Sequence, residues 1–418
     1  MLKFTSKKNL LISLFIFLTF FLGFIFQENS AGGGKIDNIH ITNNFILFEN
    51  NNFFEIQWSL YSSSTLPIYY LIAGIFYQYN PLFIKVFNFT LSLCSIYIFN
   101  LILKLKFNIK KENNNILILS CLPLLSPYFR TSTFWGLEEI TAYFFFLSSV
   151  FFFYISFKKK SELYKYLAIL FSTLAFFSRL NLIFLPIFFL FFYLKKNKFI
   201  LNGSNLKKIL FFITIISPSF YFFYIFKSDM PGGGNRINFQ ISNLPIIFSI
   251  IFLYLIPFML VNINILKEQI KRNKYIYIII TTFVFFFFLS FFAISPKYEE
   301  VGGGFLYKIF FKLNIFDEYF ILKKYLFVFL STLGIFFSII ISIKNFFFIF
   351  YIIFSIIVFI NIDIVFQEYF DPLIFFITIL FTNLITKKNL SNFITNYLLF
   401  SIILLILSII HKHYLLRI

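Results

Sequence analysis

Long runs of Phe, Ile, Leu and Tyr broken by short polar stretches fill most of this chain of 418 residues. At about 20 residues per bilayer crossing, the runs predict membrane spans at 9–26, 82–104, 116–129, 140–157, 164–178, 181–195, 208–226, 244–266, 275–294, 323–343, 346–366, 372–386 and 393–410. The pattern is that of an all-α polytopic membrane protein with about 13 (12–14) transmembrane helices. Several spans are short, as is tolerable for helices that tilt little or border a water-filled cavity. The first run follows Lys3, Lys7 and Lys8 and has no small-x-small cleavage site close behind it except Asn29-Ser30-Ala31. With many spans after it, it reads as a retained helix rather than a signal peptide.

Two stretches interrupt the rhythm. Residues 28–65 form a long polar segment, read as the first non-cytoplasmic loop, in which Lys35, Asp37 and His40 follow a Gly triplet. Residues 66–79 are apolar and helix-like, and a full crossing there would invert everything after it. Charge decides for a re-entrant or surface-lying helix. With that choice the cytoplasmic N-terminus and cytoplasmic loops hold 23 of the 36 basic residues but only 3 of the 17 acids, Glu112, Glu162 and Glu268. The bias in Lys and Arg is the positive-inside pattern, and the acids on the opposite face are independent information about where polar work is done.

Composition narrows the class further. A charged fraction of 13% and a mean hydropathy of +0.86 exclude a soluble globule. The 74 Phe and 25 Tyr come with enriched Ile, Lys and Asn, the signature of AT-rich codons rather than of an aromatic binding role. Cys94 and Cys121 lie inside apolar runs without CxxC or CxxH company, so neither disulfides nor thiolate metal sites are expected. A net charge of +19 suggests nucleic acid at first sight, but the lysines sit in short clusters between spans, so no nucleic-acid partner is expected. No linker marks a second domain. The chain 1–418 reads as one membrane-embedded domain without a soluble C-terminal domain.

Five polar clusters are expected on the outer face. In GGGKIDNIH, Asp37 and His40 share one face if the segment is helical. In FRTSTFWGLEE, Arg130, Trp135, Glu138 and Glu139 lie close to hydrocarbon, where charges are paired or functional; Arg130 either pairs with Glu138 or Glu139 or serves a ligand. Arg179 stands alone between two apolar runs in FFSRLNLIFLP, and either snorkels or faces a phosphate, for which a guanidinium is well suited. Two loops, KSDMPGGGNRINFQ with Arg236 and PKYEEVGGGFLYK, each combine acids, a Gly triplet and a cation. Such turns serve as simple reversals or as anion-binding nests. Last come Asp363 and QEYFDP, where Glu368 and Asp371 are either interfacial caps or acceptors for sugar hydroxyls. HExxH, GxSxG and Walker motifs are absent, against a zinc hydrolase, a serine hydrolase or an ATP-driven pump.

Taken in order, IDNIH, SSSTLPIYYLIAG, WGLEE and LAFFSRLNLIFLP resemble the landmarks of the GT-C class of membrane glycosyltransferases, which use polyprenyl-phosphate sugars as donors. Within that class, the order IDNIH, SSSTLPIYYL, FFSRLN, GGGNRINFQISNLP and QEYFDP is similar to that of the glucosyltransferases adding the terminal glucose to lipid-linked oligosaccharides. Two departures leave donor sugar and acceptor open: Asn38 stands where that group has a second acid, and Leu180 where it has Gln.

The resemblance implies an inverting glycosyltransferase that moves a hexose onto a lipid-linked glycan or other cell-surface acceptor at the non-cytoplasmic face. Asp37 is then the base, with Glu138 or Glu139 next in line. Arg179, followed by Arg130, Lys35 and Arg236, would hold the donor phosphate. His40, Trp135, Glu368 and Asp371 would hold sugar or acceptor. No cofactor is certain; a divalent metal on Asp37 and Glu138 is possible within the class. The composition points to a bacterial inner membrane rather than the endoplasmic reticulum. The competing readings are a flippase or transporter, which would place charge deep within spans, and a glycan polymerase.

Overall fold

The computed structural model describes residues 6–50, 56, 61, 63, 65–109, 113–196, 199, 203–226, 239–292, 302–311, 320–343, 345–362 and 364–410. Among these residues the chain is helical throughout, with no strand. The helices are α1 (Ser6–Ile25), α2 (Gly34–Asn50), α3 (Ile68–Tyr79), α4 (Pro81–Lys106), α5 (Asn114–Cys121), α6 (Pro127–Trp135), α7 (Glu139–Lys159), α8 (Glu162–Ser178), α9 (Phe184–Lys196) and α10 (Gly203–Phe226). They continue as α11 (Asn243–Val261), α12 (Ile263–Arg272), α13 (Lys274–Phe291), α14 (Gly304–Phe311), α15 (Phe320–Ser342), α16 (Phe346–Phe359), α17 (Leu373–Phe381) and α18 (Leu390–Ile410). Two compact units result, one from Met1–Arg236 with Ser401–Ile418, the other from Ile237–Phe400.

Six helices among the described residues are long and apolar enough to cross a membrane: α4, α7, α11, α13, α15 and α18. Two of the other apolar runs are short or interrupted for reasons written in the chain. The run expected as one span at 116–129 contains Pro123 and Pro127, each lacking a backbone N–H. It divides into α5, a tight turn at Leu122–Leu125, and α6, whose first turn is capped by Ser126 accepting from the Phe129 amide at 3.1 Å. Helix α3 has 12 residues, or about 18 Å at 1.5 Å per residue, against about 30 Å of hydrocarbon. It stops at Asn80, whose side chain accepts from the Leu82 amide at 2.8 Å and starts α4 behind Pro81.

The polar segment 28–65 carries a helix. After the Gly triplet no Gly or Pro interrupts α2, and Ile41, Asn44 and Phe45 recur on its buried face. Asp37 and His40 fall in one turn of this helix. Within the first unit, α7 and α8 lie against each other, and both bury small residues, among them Ser148, Ser149, Ser172, Thr173 and Ala175. Their hydroxyls stay satisfied inside apolar surroundings by donating along their own helices, as Ser149 does to the Phe146 carbonyl at 2.6 Å and Ser172 to that of Ile169 at 2.8 Å.

The second unit is built round α11 and α15. Their approach is closest at Gly334, where an added Cβ would stand 2.0 Å from the Phe248 carbonyl oxygen. Backbone cannot swing aside as a side-chain tip can. Gly334→Ala is therefore expected to cost about 1–3 kcal/mol of stability through forced separation of the two helices. Gly203→Ala, at a site with nothing within 4 Å of the new Cβ, serves as the neutral control. Thermal unfolding in detergent reads the difference, and equal midpoints for the two variants would contradict this packing.

Candidate active site

The first unit gathers the polar clusters of the N-terminal half, beginning with a buried arginine. Arg130, on α6, is 2% exposed. Its Nε donates to Glu28 Oε1 at 2.9 Å, Nη2 pairs with Glu28 Oε2 and donates to the Thr19 carbonyl at 2.9 Å, and Nη1 donates to the Leu124 carbonyl at 3.2 Å. The ion pair expected with Glu138 or Glu139 thus forms with Glu28. Further bonds fix the chain beyond Glu28 onto α6. Ser30 Oγ donates to the Pro127 carbonyl, the Ala31 amide to Thr131 Oγ1, and Trp135 Nε1 to the Glu28 carbonyl.

Gly32 and Gly33 then take positive φ angles of 78° and 71°, which L side chains rarely adopt, and turn the chain into α2. Gly34 sits against α6, since a Cβ there would meet Thr131 Cγ2 at 2.7 Å and Trp135 Cδ1 at 2.8 Å. Asn38 Nδ2 closes the clamp by donating to the Trp135 carbonyl at 2.6 Å. An ionised carboxylate at position 38 has no proton to donate, which gives a physical reason for Asn where the resembled pattern has an acid.

The turn between α6 and α7 carries Glu138 and Glu139. Gly136 ends α6 in the left-handed region, and the Leu137 amide returns to the Ser132 carbonyl at 2.9 Å. Fully buried Asn88, from α4, donates to the Leu137 carbonyl at 2.6 Å, and Tyr69 OH, from α3, to the Gly136 carbonyl at 2.6 Å. Glu138 Oε2 accepts from Thr65 at 2.8 Å, Ser63 at 3.2 Å and Tyr70 OH at 3.3 Å. The start of α3 is tied to the far end of α8 as well, through the Leu66 amide and the Phe177 carbonyl at 3.1 Å.

That end of α8 is Arg179, 6% exposed and extended at φ −155°. Its guanidinium lies 3.4 Å from Glu139 Oε1 and donates to Tyr143 OH at 3.4 Å. Asp37, though exposed as a residue, has enough protein around its carboxyl to be pushed up to about 6, with the Glu139 charge adding to the rise and the His40 and Arg179 charges opposing it. Half-buried Glu138 is pushed up to about 7, first by lost hydration and then by Glu139, against the Thr65 and Ser63 hydroxyls and the Arg179 charge. Three acids and one fixed cation therefore share a field at the meeting of α2, α3, α7 and α8.

The remaining candidates are more dispersed. Lys35 and His40 are exposed on α2, and Trp135 is half-buried with Lys85 Nζ 4.9 Å from its ring. Glu368 and buried Asp371 belong to the second unit. There Gly302, Gly303 and Gly304 all have positive φ, and the Gly303 amide donates to the Val365 carbonyl at 2.9 Å. Gln367 Oε1 accepts from the Phe305 amide at 2.6 Å while its Nε2 donates to Tyr254 OH at 2.7 Å, so one Gly triplet and QEYFDP form one knot. Arg236, Asp363 and the triplet 232–234 lie outside the described residues.

The donor set does not fit a divalent cation. Among the described residues no three His, Cys, Asp or Glu side chains come together as ligands. Glu139 Oε1 faces Arg179 while its Oε2 is buried without a hydrogen-bond partner among the described residues, and Glu138 already accepts three hydroxyl protons, which leaves one free carboxylate oxygen rather than a ligand set. Residues that sequence reasoning did not select include Glu28, Ser63, Thr65, Tyr69, Tyr70, Asn88 and Tyr143. Asn88 had a signal, as one of two amides inside an apolar span; the tyrosines are hidden among the chain's 25.

Comparison with protein-family models, curated proteins and solved structures gives no match.

Raised carboxyls couple this site to stability. Asp37 and Glu138 bind a proton more tightly folded than unfolded, so the stability they contribute is fullest at low pH and is lost as pH rises through about 6 and about 7. Glu138→Gln removes one of these slopes. From about pH 5 to about pH 8 the thermal midpoint of the wild type should fall relative to that of the variant, and parallel curves would contradict the buried-acid assignment.

Proposed function

We propose that this chain is an inverting glycosyltransferase of GT-C type, transferring a hexose from a polyprenyl-phosphate sugar to a lipid-linked glycan or other cell-surface acceptor. The reaction takes place at the non-cytoplasmic face of a membrane, by composition a bacterial inner membrane. One arrangement carries the reading: Asp37, on the exposed side of α2, stands in the field of the buried Arg179–Glu139 pair, and the protein around its carboxyl pushes it up to about 6.

A general base works best when its pKa lies near the working pH, because it is then mostly ionised and still basic enough to take a proton. Asp37 meets that condition. It removes the proton of the acceptor hydroxyl as the oxygen attacks the anomeric carbon; the bond from that carbon to the phosphate oxygen breaks, and the lipid phosphate leaves with the electron pair. A single displacement inverts the anomeric centre. Arg179, with Lys35 on the exposed face of α2, supplies positive charge where the phosphate gains negative charge. Glu139 orients the guanidinium at 3.4 Å, and Glu138 anchors the chain entering α3.

Purified protein assayed with radiolabelled polyprenyl-phosphate hexoses tests the proposal. Asp37→Asn is expected to lose about 10²–10⁴-fold in transfer rate, while its thermal midpoint near neutral pH is no lower than that of the wild type, because the variant no longer has to ionise a raised carboxyl. Arg179→Lys keeps the charge but not the fork, and is expected to lose about 10²-fold or more. The wild-type rate should rise with pH through an acid limb at about 6, where Asp37 ionises. Full transfer by Asp37→Asn, or glycan movement across vesicles without a new glycosidic bond, would overturn the transferase reading.

A further inference from the structure

Helix α12, INILKEQIKR, joins two of the helices that are long and apolar enough to cross a membrane. One residue separates it from α11 and one from α13, so it has no room to leave the surface where those helices emerge. Ile263, Leu266 and Ile270 recur at a spacing of three and four and form one stripe. Leu266 packs inward at 9% exposure, whereas Ile263 and Ile270 remain 47% and 36% exposed. Lys267, Lys271 and Arg272 are all exposed on the same short helix, and exposed Lys274 opens α13.

A second segment of the same unit adds to this charge. Asn389 Nδ2 donates to Asn262 Oδ1, at the head of α12, at 3.4 Å. The turn before Asn389 is firmly built: Asn389 Oδ1 accepts from the Thr386 amide at 2.7 Å, and Nδ2 also donates to the Leu384 carbonyl at 2.9 Å. It presents exposed Lys387 and Lys388 beside the start of α12. Six cations thus face one acid, Glu268, and among the described residues none of the seven is ion-paired.

Unpaired like charges on a short, membrane-bound surface repel one another unless anions are supplied from outside. Hydrocarbon accommodates the exposed isoleucines at the depth where phosphates accommodate the lysines, as in amphipathic helices lying in the headgroup layer. We propose that α12 and the Lys387–Lys388 turn form a platform that binds the phosphate headgroups of anionic phospholipids of the phosphatidylglycerol or cardiolipin type. The platform lies on the face that the positive-inside pattern assigns to the cytoplasm, and it requires only that α11 and α13 span the membrane, not that the chain transfers sugar.

Full-length protein in nanodiscs of phosphatidylcholine with a minor fraction of phosphatidylglycerol provides the test, with retained lipid counted by native mass spectrometry. Lys267→Gln/Lys271→Gln/Arg272→Gln should reduce phosphatidylglycerol retention by about tenfold or more. Lys158→Gln/Lys159→Gln/Lys160→Gln, an equal charge loss at the exposed end of α7, should leave it nearly unchanged. An Ile270→Trp reporter, with the wild type as background, should be quenched more by brominated phosphatidylglycerol than by brominated phosphatidylcholine. Equal loss in both triple variants, equal quenching by both lipids, or displacement of the lipid by inorganic phosphate would overturn the platform. A chain that does not enter the nanodisc would overturn the membrane reading on which it rests.

Discussion

A guanidinium removed from water must find partners for its N–H donors, and Arg130 makes four hydrogen bonds, two to Glu28 and two to backbone carbonyls. Breaking one side of such a buried pair typically costs about 3–5 kcal/mol, because the other charge is left unpaired. The geometry of the candidate site follows from it. Gly23 is required beneath the pair, since a Cβ there would meet Arg130 Nη2 at 2.5 Å and Glu28 Oε2 at 2.7 Å. Glu28 in turn fixes the end of α1, the Gly triplet and the angle at which α2 leaves. Asp37 stands one turn into α2, so its position is set by an ion pair in which it takes no part.

Around Asp37 the chain concentrates more negative than positive charge. Asp37, Glu138 and Glu139 share Arg179 as their fixed cation, with exposed His40 alongside, and lost hydration first, then the Glu139 charge, make Asp37 and Glu138 hold protons at higher pH than usual. The acids are not equivalent. Glu138 is tied by three hydroxyls and Glu139 by Arg179, while Asp37 faces outward on a helix end. Both Asp37 and Glu138 are raised toward neutrality, to about 6 and about 7, but the surrounding bonds leave only Asp37 accessible, as proton transfer at a reacting hydroxyl requires.

Much of this was legible in the chain. Apolar runs announced helices, and the polar residues left between them, Asp37, Glu138, Glu139 and Arg179, do meet in one unit. Local rules could not supply the pairing of Arg130, because two acids stood eight and nine residues away while its actual partner lies before the Gly triplet. The break at 116–129 was visible in Pro123 and Pro127 but was outweighed by hydropathy, which is blind to missing backbone donors. The hydroxyls around Glu138 carry no periodic signal at all: they converge from a polar segment and a short helix whose tyrosines resemble the compositional background. Glu368 and Asp371 matched the outer clusters in chemistry but fold with the second unit, where Gln367 knots them to a Gly triplet.

That Asp37, Glu139 and Arg179 form a single electrostatic site is the claim on which the functional reading stands. The most direct measurement is the titration of Asp37 by carbon-13 NMR in selectively labelled protein, alone and in the Glu139→Gln and Arg179→Gln backgrounds. The account predicts a midpoint at about 6 in the wild type, lowered when Glu139 is neutralised and raised when Arg179 is. An ordinary aspartate midpoint that neither substitution moves would contradict it.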